Sequence, residues 1–189
     1  MPFQKTDIPG LLVFEPKVFE DSRGYFFESY NETIFRQEGI NTHWVQDNQS
    51  SSGFGVIRGL HYQLPPFAQS KLVRVLKGKI LDVAVDIRKG SPTYGNVFTQ
   101  KLSAKNKKQL LIPAGFAHGF SVLSEKAEVM YKCDGFYNKE SEAGIIYNDV
   151  ELNIDWGIPA ELAIISDKDK LLPSLKDCNN TFVYQSTVF

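Results

Sequence analysis

The sequence predicts a mainly β fold in which antiparallel strands close into a jelly roll or barrel, with a few short helices near its ends. Short runs of alternating or apolar residues recur along the chain, separated by Gly, Pro, Asn and Lys clusters at regular spacing. The clearest, KILDVAVDI (79–87), sets Leu81, Val83, Val85 and Ile87 against Ile80, Asp82, Ala84 and Asp86, which is strand periodicity. Aromatic residues make up 13% of the chain, and such side chains suit pleated, half-buried surfaces.

From the N-terminus, LLVFEPKVF (11–19) reads as a strand, DSRG (21–24) as a turn and YFFESY (25–30) as a second strand. Asn31 caps a short helix over 32–38 that Gly39 ends. HWVQDN (43–48) reads as a strand that runs into a flexible loop, SSSGFG. VIRGLHYQ (56–63) is the next strand, broken by Pro65-Pro66, and KLVRVL (71–76), Lys77-Gly78 and KILDVAVDI form a hairpin. Further strands are expected near 96–103, 109–112, 117–123, 127–137 and 143–148. Ser166 caps a helix through DKDKLL that Pro173 ends, and the tail after about residue 179 carries no pattern. No linker or repeat divides the chain, so residues 1–189 are expected to form a single domain.

Lys plus Arg (21) nearly cancel Asp plus Glu (22), which argues against nucleic acid as a partner and leaves any anionic ligand to a few local cations. The N-terminus lacks the apolar core of a signal peptide, and no run approaches the roughly 18 apolar residues of a membrane span. Two cysteines, Cys133 and Cys178, make no disulfide framework or zinc pair. A reducing cytoplasm, with no membrane partner, is the expected setting.

Two of the three histidines sit in suggestive places. His118 closes Pro113-Ala114-Gly115-Phe116-Ala117-His118, a turn shared with many cupin barrels, where the His often binds a metal. Those barrels supply further ligands from a His-x-His pair; the matching place here reads His61-Tyr62-Gln63, and a neutral amide is a poor zinc or iron ligand. No metal is therefore expected. His61 stands between two readings, a hydrogen-bonded core histidine and a general base. Its sequence neighbours Arg58, Lys71 and Arg74 favour the base, because buried cations are costly without an acidic substrate. Strict alternation puts Arg58 and His61 on opposite faces unless Gly59 permits a bulge. Tyr131, Cys133, Gly135 and Tyr137 share one face of a strand by alternation, either as structural tyrosines or as an open wall that donates a proton and stacks on a flat base. Cys133 reads as a packing residue. Asp82, on the less apolar face of its strand, is placed to orient His118.

FEPKVFEDSRGYFFESY, QDNQS, RGLHYQLPP, KLVRVLKGKILDVAVDIRKGSPTYG, LLIPAGFAHGF, YKCDGFYN, IIYND and SDKDK, in this order, resemble the dTDP-4-dehydrorhamnose 3,5-epimerase family over nearly the whole chain. The resemblance implies a cupin-type jelly roll, a homodimer, and a cofactor-free epimerisation of dTDP-4-dehydro-6-deoxy-D-glucose. By that likeness His61 matches the general base, Tyr131 the general acid, Asp169 the carboxylate behind the base, and Lys71 the cation beside the developing enolate oxygen. Arg23, Glu28, Gln46, Asp47, Asn48, Arg58, His118, Glu142 and Lys168 match substrate contacts, and Tyr137 the aromatic that stacks on thymine. The likeness also implies that the N-terminal segment, with Arg23 and Glu28, reaches the neighbouring subunit's site. Cys133, Gly135-Phe136 and Tyr147 depart from the common pattern, which has Thr, an Asn-Tyr or Asp-Tyr pair, and Trp. Three rivals stand beside this expectation: a metal-dependent cupin enzyme, a non-catalytic sugar-nucleotide binder, and an epimerase acting at one carbon only.

Overall fold

Alternating inward and outward side chains build two facing sheets in a computed structural model that describes residues 2–185. The strands are β1 (Phe3–Lys5), β2 (Leu12–Phe14), β3 (Phe19–Asp21), β4 (Gly24–Phe26), β5 (Gln46–Gly53), β6 (Val56–Gln63) and β7 (Lys71–Lys77). They continue as β8 (Lys79–Asp86), β9 (Val97–Ser103), β10 (Gln109–Ile112), β11 (Phe116–Val122), β12 (Lys126–Cys133), β13 (Glu142–Gly144) and β14 (Ile164–Ile165). Helices α1 (Glu32–Gln37) and α2 (Asp167–Lys170) are short, and both start where expected: Asn31 accepts from the Thr33 and Ile34 N–H groups, and Ser166 from that of Asp169.

The first sheet runs β1-β2-β10-β7-β12-β5 and the second β13-β6-β11-β8-β9, with β14 added parallel to β6. Every other pairing is antiparallel, which gives the cupin-type jelly roll. Val73, Val75, Leu110 and Val129 of the first sheet meet Ile80, Ala84, Phe120 and Val122 of the second in the interior. The outer faces are covered as well. Phe3, Phe14 and Phe35 stack over the first sheet, and Ile145, Leu152, Trp156 and Leu175 over the second.

Several expectations are corrected. Strands β7 and β8 are not a hairpin: they belong to opposite sheets, and Gly78 turns the chain from one to the other at φ +77. A Cβ there would run into the Lys126 carbonyl oxygen, so the crossover needs glycine. The serine run is strand, not loop, because Ser50–Ser52 continue β5 along the edge of the sheet against Val129, Glu128 and Ala127 of β12. Pro16 lies in the break that splits 11–19 into β2 and β3. Strand β12 ends at Cys133, so Gly135 and Tyr137 stand on the loop beyond it. The tail from 180 is irregular but fastened: Lys89 N–H donates to Phe182 O at 2.9 Å and Tyr184 N–H to Lys89 O at 2.9 Å. The final expectation for that tail, over 186–189, lies outside the described residues. Among the described residues no helix is long and apolar enough to cross a membrane.

Candidate active site

The interior of the jelly roll is packed at one end and open at the other. On β6, β7, β8, β11 and β12 the same inward alternation that supplies the core supplies Arg58, His61, Lys71, Asp82, His118 and Tyr131. A lobe of about 510 Å³ is lined by Arg58, His61, Lys71, His118, Tyr131 and Asp169, with Val56, Phe120 and Ile164 as an apolar wall. A second lobe of about 290 Å³ is lined by Gln46, Asn48, Gln69, Tyr137 and Glu142. His61, Lys71 and Tyr131 line both.

Arg58 and His61 reach one cavity because β6 is bulged. Against β11, His61 pairs with His118 but Arg58 with Phe120, so three steps on β6 oppose two on its partner. Gly59 sits inside the bulge at φ +116, where a Cβ would lie 2.6 Å from Gly119 Cα and 2.7 Å from the His118 carbonyl oxygen. Only glycine fits so close to a neighbouring backbone.

His61 Nε2 lies 2.8 Å from Asp169 Oδ1, and Asp169 Oδ2 accepts the Gly59 N–H at 3.2 Å. The carboxylate is buried, whereas the imidazole keeps 31% of its surface exposed toward the cleft. Burial would raise the Asp169 carboxyl, but the bonds from His61 and Gly59 outweigh it and hold the group below its ordinary value. Such a dyad fixes the tautomer and supports positive charge on the ring.

Lys71 has no carboxylate within 4.0 Å among the described residues. Burial pulls its ammonium below the ordinary lysine value, partly offset by the acids Asp82 and Glu142. The Tyr131 phenol has no hydrogen-bond partner among the described residues, and burial pushes it upward against the pull of Arg58. Cys133, fully buried, has its thiol raised to about 11 by desolvation, so it packs as a neutral group. Among the described residues there is also no cluster of three His, Cys, Asp or Glu that could hold a metal, and Gln63 is spent on the backbone of Phe67, Phe136 and Asn138.

Tyr137 reaches the cleft from its loop, its ring 57% exposed and its phenol donating to Glu142 at 3.0 Å. Glu142 in turn pairs with Lys168 Nζ at 2.6 Å, and the Tyr137 N–H donates to Gln46 Oε1. Asn48 donates to the Cys133 sulfur at 3.7 Å. His118 lies 2.8 Å from Asp82, as alternation suggested. Three expected contacts are not brought here. Asp47 points to the opposite face of β5, where it pairs with Lys132 at 3.0 Å. Arg23 and Glu28 lie in the exposed N-terminal ribbon region, Arg23 bound to Asp21 and Glu28 to Asn31. The apolar wall was missed from the sequence: Val56 and Phe120 carry no polar signal, and β14, which brings Ile164, is too short to show a period.

A family model described as dTDP-4-dehydrorhamnose 3,5-epimerase matches residues 5–177. A dTDP-4-dehydrorhamnose 3,5-epimerase of Shigella flexneri is 55% identical over 87% of this chain and 91% of its own. Among solved structures, an epimerase of Legionella pneumophila in complex with dTDP-4-keto-L-rhamnose superposes with a TM-score of 0.93 at 45% identity, covering 97% of this chain and 98% of that one. A 3′-monoepimerase of Streptomyces bikiniensis in complex with dTDP-quinovose is similar at 30% identity and a TM-score of 0.84, covering 92% and 87%.

Proposed function

The chain belongs to the dTDP-4-dehydrorhamnose 3,5-epimerase family, and on that premise we propose that its cleft converts dTDP-4-dehydro-6-deoxy-D-glucose to dTDP-4-dehydro-L-rhamnose by inverting carbons 3 and 5. The observation that carries the reading is that His61, Lys71 and Tyr131 line both lobes, so a base, a cation and a phenol converge where the lobes meet.

Neutral His61 removes the hydrogen beside the ketone, and Asp169 supports the imidazolium that results. An enolate forms only if the site favours it over the ketone. Lys71, a buried cation with no carboxylate within 4.0 Å among the described residues, supplies that preference at the oxygen. Tyr131 delivers a proton to the opposite face of the enolate, and the change of face is the inversion. Each step is a proton transfer, so no cofactor or metal is invoked. The diphosphate is held by Arg58 and, in a homodimer, by Arg23 of the partner subunit, with Glu28 of the partner subunit beside it. Exposed Phe19, Tyr25 and Phe26 on the β3–β4 ribbon fit such an exchange, since an apolar patch of this kind suits a protein partner. Tyr137 stacks on thymine, while Gln46, Asn48, His118, Glu142 and Lys168 contact the remaining polar groups. Asp47 is left outside this chain's cleft. The free thiols of Cys133 and Cys178 fit a reducing cytoplasm.

Proton NMR of the enzyme with its substrate in heavy water tests the reading: deuterium should enter two positions of the sugar, and His61→Ala should stop uptake at both. A folded wild-type protein that exchanges neither hydrogen would refute it. The similarity to a 3′-monoepimerase favours one second reading, inversion at a single carbon, which predicts inverted product with deuterium at one position.

A further inference from the structure

Tyr137 meets the cleft from an irregular loop with its ring 57% exposed, so packing does little to fix its direction. Its backbone is held instead. Gln63 Nε2 donates to the Phe136 carbonyl at 3.2 Å, and Gln63 Oε1 accepts the Asn138 N–H at 2.8 Å. One amide group thus grips both peptide units that flank Tyr137, and rotation between those two planes is what its backbone dihedrals describe. The first of these units is also held through its N–H, which Tyr137 donates to Gln46 Oε1 at 3.1 Å. The remaining Gln63 N–H goes to the Phe67 carbonyl at 2.6 Å, and nearby Gln69 Nε2 donates to the Gly135 carbonyl at 2.6 Å. The loop therefore rests on the chain segment after Pro65-Pro66, so closely that a Cβ at Gly135 would lie 3.2 Å from the Ala68 carbonyl oxygen.

Gln63 is only 5% exposed, and burying an amide costs free energy that an apolar residue at the end of β6 would not. Its orientation is forced, because two carbonyls require the amide nitrogen and one N–H requires the oxygen. Two residues after His61 on the same strand, it shares the inward face. We propose that Gln63, with Gln69 beside it, is a positioning residue for the nucleotide: it presents the Tyr137 ring as a platform already set for a flat base before any ligand arrives. Ligand binding then does not bear the cost of ordering the loop. Since His61 and Gln63 lie on one strand, β6 also fixes the spacing between the proton-transfer site and the base platform.

The inference rests on the stacking role given to Tyr137 above, and its test separates the two. Titration calorimetry with dTDP compares the parent, Gln63→Met, Tyr137→Ala and the double variant. Methionine keeps the length of the side chain and removes its amide bonds. In Gln63→Met the Kd should rise about tenfold, the order expected when a base loses much of its stacking on one aromatic ring. In the Tyr137→Ala background the same substitution should change Kd by less than about twofold, because Gln63 acts through the ring. Inhibition by inorganic pyrophosphate, which carries no base, should match the parent. A Gln63→Met that weakens dTDP equally with and without Tyr137, or weakens pyrophosphate as much as dTDP, supports the fold and not the ring, and either result overturns the proposal. So does a Kd equal to that of the parent. If Gln63→Met does not fold, Gln69→Ala decides: its loss of dTDP affinity should vanish in the Tyr137→Ala background, and an additive loss or none overturns the proposal. A parent-like Kd in Tyr137→Ala alone would defeat the stacking reading itself, and the proposal with it.

Discussion

Replacing Asp169 by Asn keeps the size of the side chain and removes its charge, which isolates what the carboxylate does for His61. The two groups are 2.8 Å apart, atom to atom. With charge centres about 4 Å apart and an effective dielectric of about 20, an imidazolium and a carboxylate attract by about 4 kcal/mol. The ring is 31% exposed, so solvent screens part of that, and about 3 kcal/mol remains for the charge that develops on His61. This corresponds to about 10²-fold in rate. A further loss comes from the tautomer. An amide can donate to Nε2, which would leave the proton on Nδ1, the wrong nitrogen for a base facing the sugar; in a serine-protease triad the same exchange costs about 10⁴-fold. Asp169→Asn should therefore lower kcat by about 10³-fold, with KM changed by no more than about threefold. The rate of deuterium uptake into the sugar, followed by proton NMR, measures it directly. An uptake rate within about threefold of the parent, in a variant of unchanged melting temperature, would mean that His61 does not rely on Asp169 for charge or orientation.

Tyr131→Phe should still release the sugar hydrogens to solvent but form inverted product at least about 10²-fold more slowly, seen as exchange without epimerisation in the same NMR experiment. Gly59→Ala places a Cβ 2.6 Å from Gly119 Cα at a φ of +116, with backbone on the far side that cannot yield. It should cost about 2–3 kcal/mol in urea denaturation and remove most activity by spoiling the bulge. Asp86→Asn should cost about 3–5 kcal/mol, because it leaves the buried Arg88 guanidinium, now 2.7 Å from Asp86 Oδ2, without a counter-charge. Burial would raise the Asp86 carboxyl, but Arg88, Ser91 and Thr93 together hold it below its ordinary value. Its contribution is thus fully present above the unfolded-state carboxyl value and lost as pH falls through the lower folded one. Acid unfolding of the variant, followed by circular dichroism, should accordingly be less steep than that of the parent.

Where local pattern and tertiary role agree, the chain is legible. VIRGLHYQ is strand β6 residue for residue, because Ile57, Leu60 and Tyr62 pack outward and Pro65-Pro66 stops it. Asn31 and Ser166 cap their helices since side chain, backbone donor and helix start are all local. The serine run failed as a strand signal for a reason tied to function. The inward residues of β5 are Gln46, Asn48 and Ser50, which line the cleft, and Ser52, which accepts from Arg58 at 3.1 Å, so polar alternates with polar and no period shows. The apparent hairpin failed because Lys77-Gly78 looks the same whether a chain folds back in its own sheet or crosses to the other. The dyad partner of His61 lies 108 residues away, a distance over which no spacing rule reaches; only the likeness of SDKDK to a known family pointed to Asp169. Asp82 could be read from alternation alone, since an acid on the inward face of an apolar strand has few reasons to be there.

The cleft also accounts for where the apolar mass of the protein lies. The interior between the sheets is where a sandwich ordinarily builds its core, yet at its open end it is lined by Arg58, His61, Lys71 and Asp169. Each of these groups weakens packing, and Asp82, whose Oδ2 has no hydrogen-bond partner among the described residues, does so outright. The compensation sits on the outer faces. Leu81, Val83, Val85 and Ile87, on the side of β8 opposite Asp82, pack against Leu152, Trp156 and Leu175 from the C-terminal third. Phe3, Phe14 and Phe35 do the same over β2 and β10. The long C-terminal segment is thus a second core that lets β8 carry the polar Asp82 on its inner face, and the same segment delivers Asp169 and Lys168 to the cleft. Stability and catalysis are coupled through that one stretch of chain: whatever loosens its packing on β8 also displaces the carboxylate from His61.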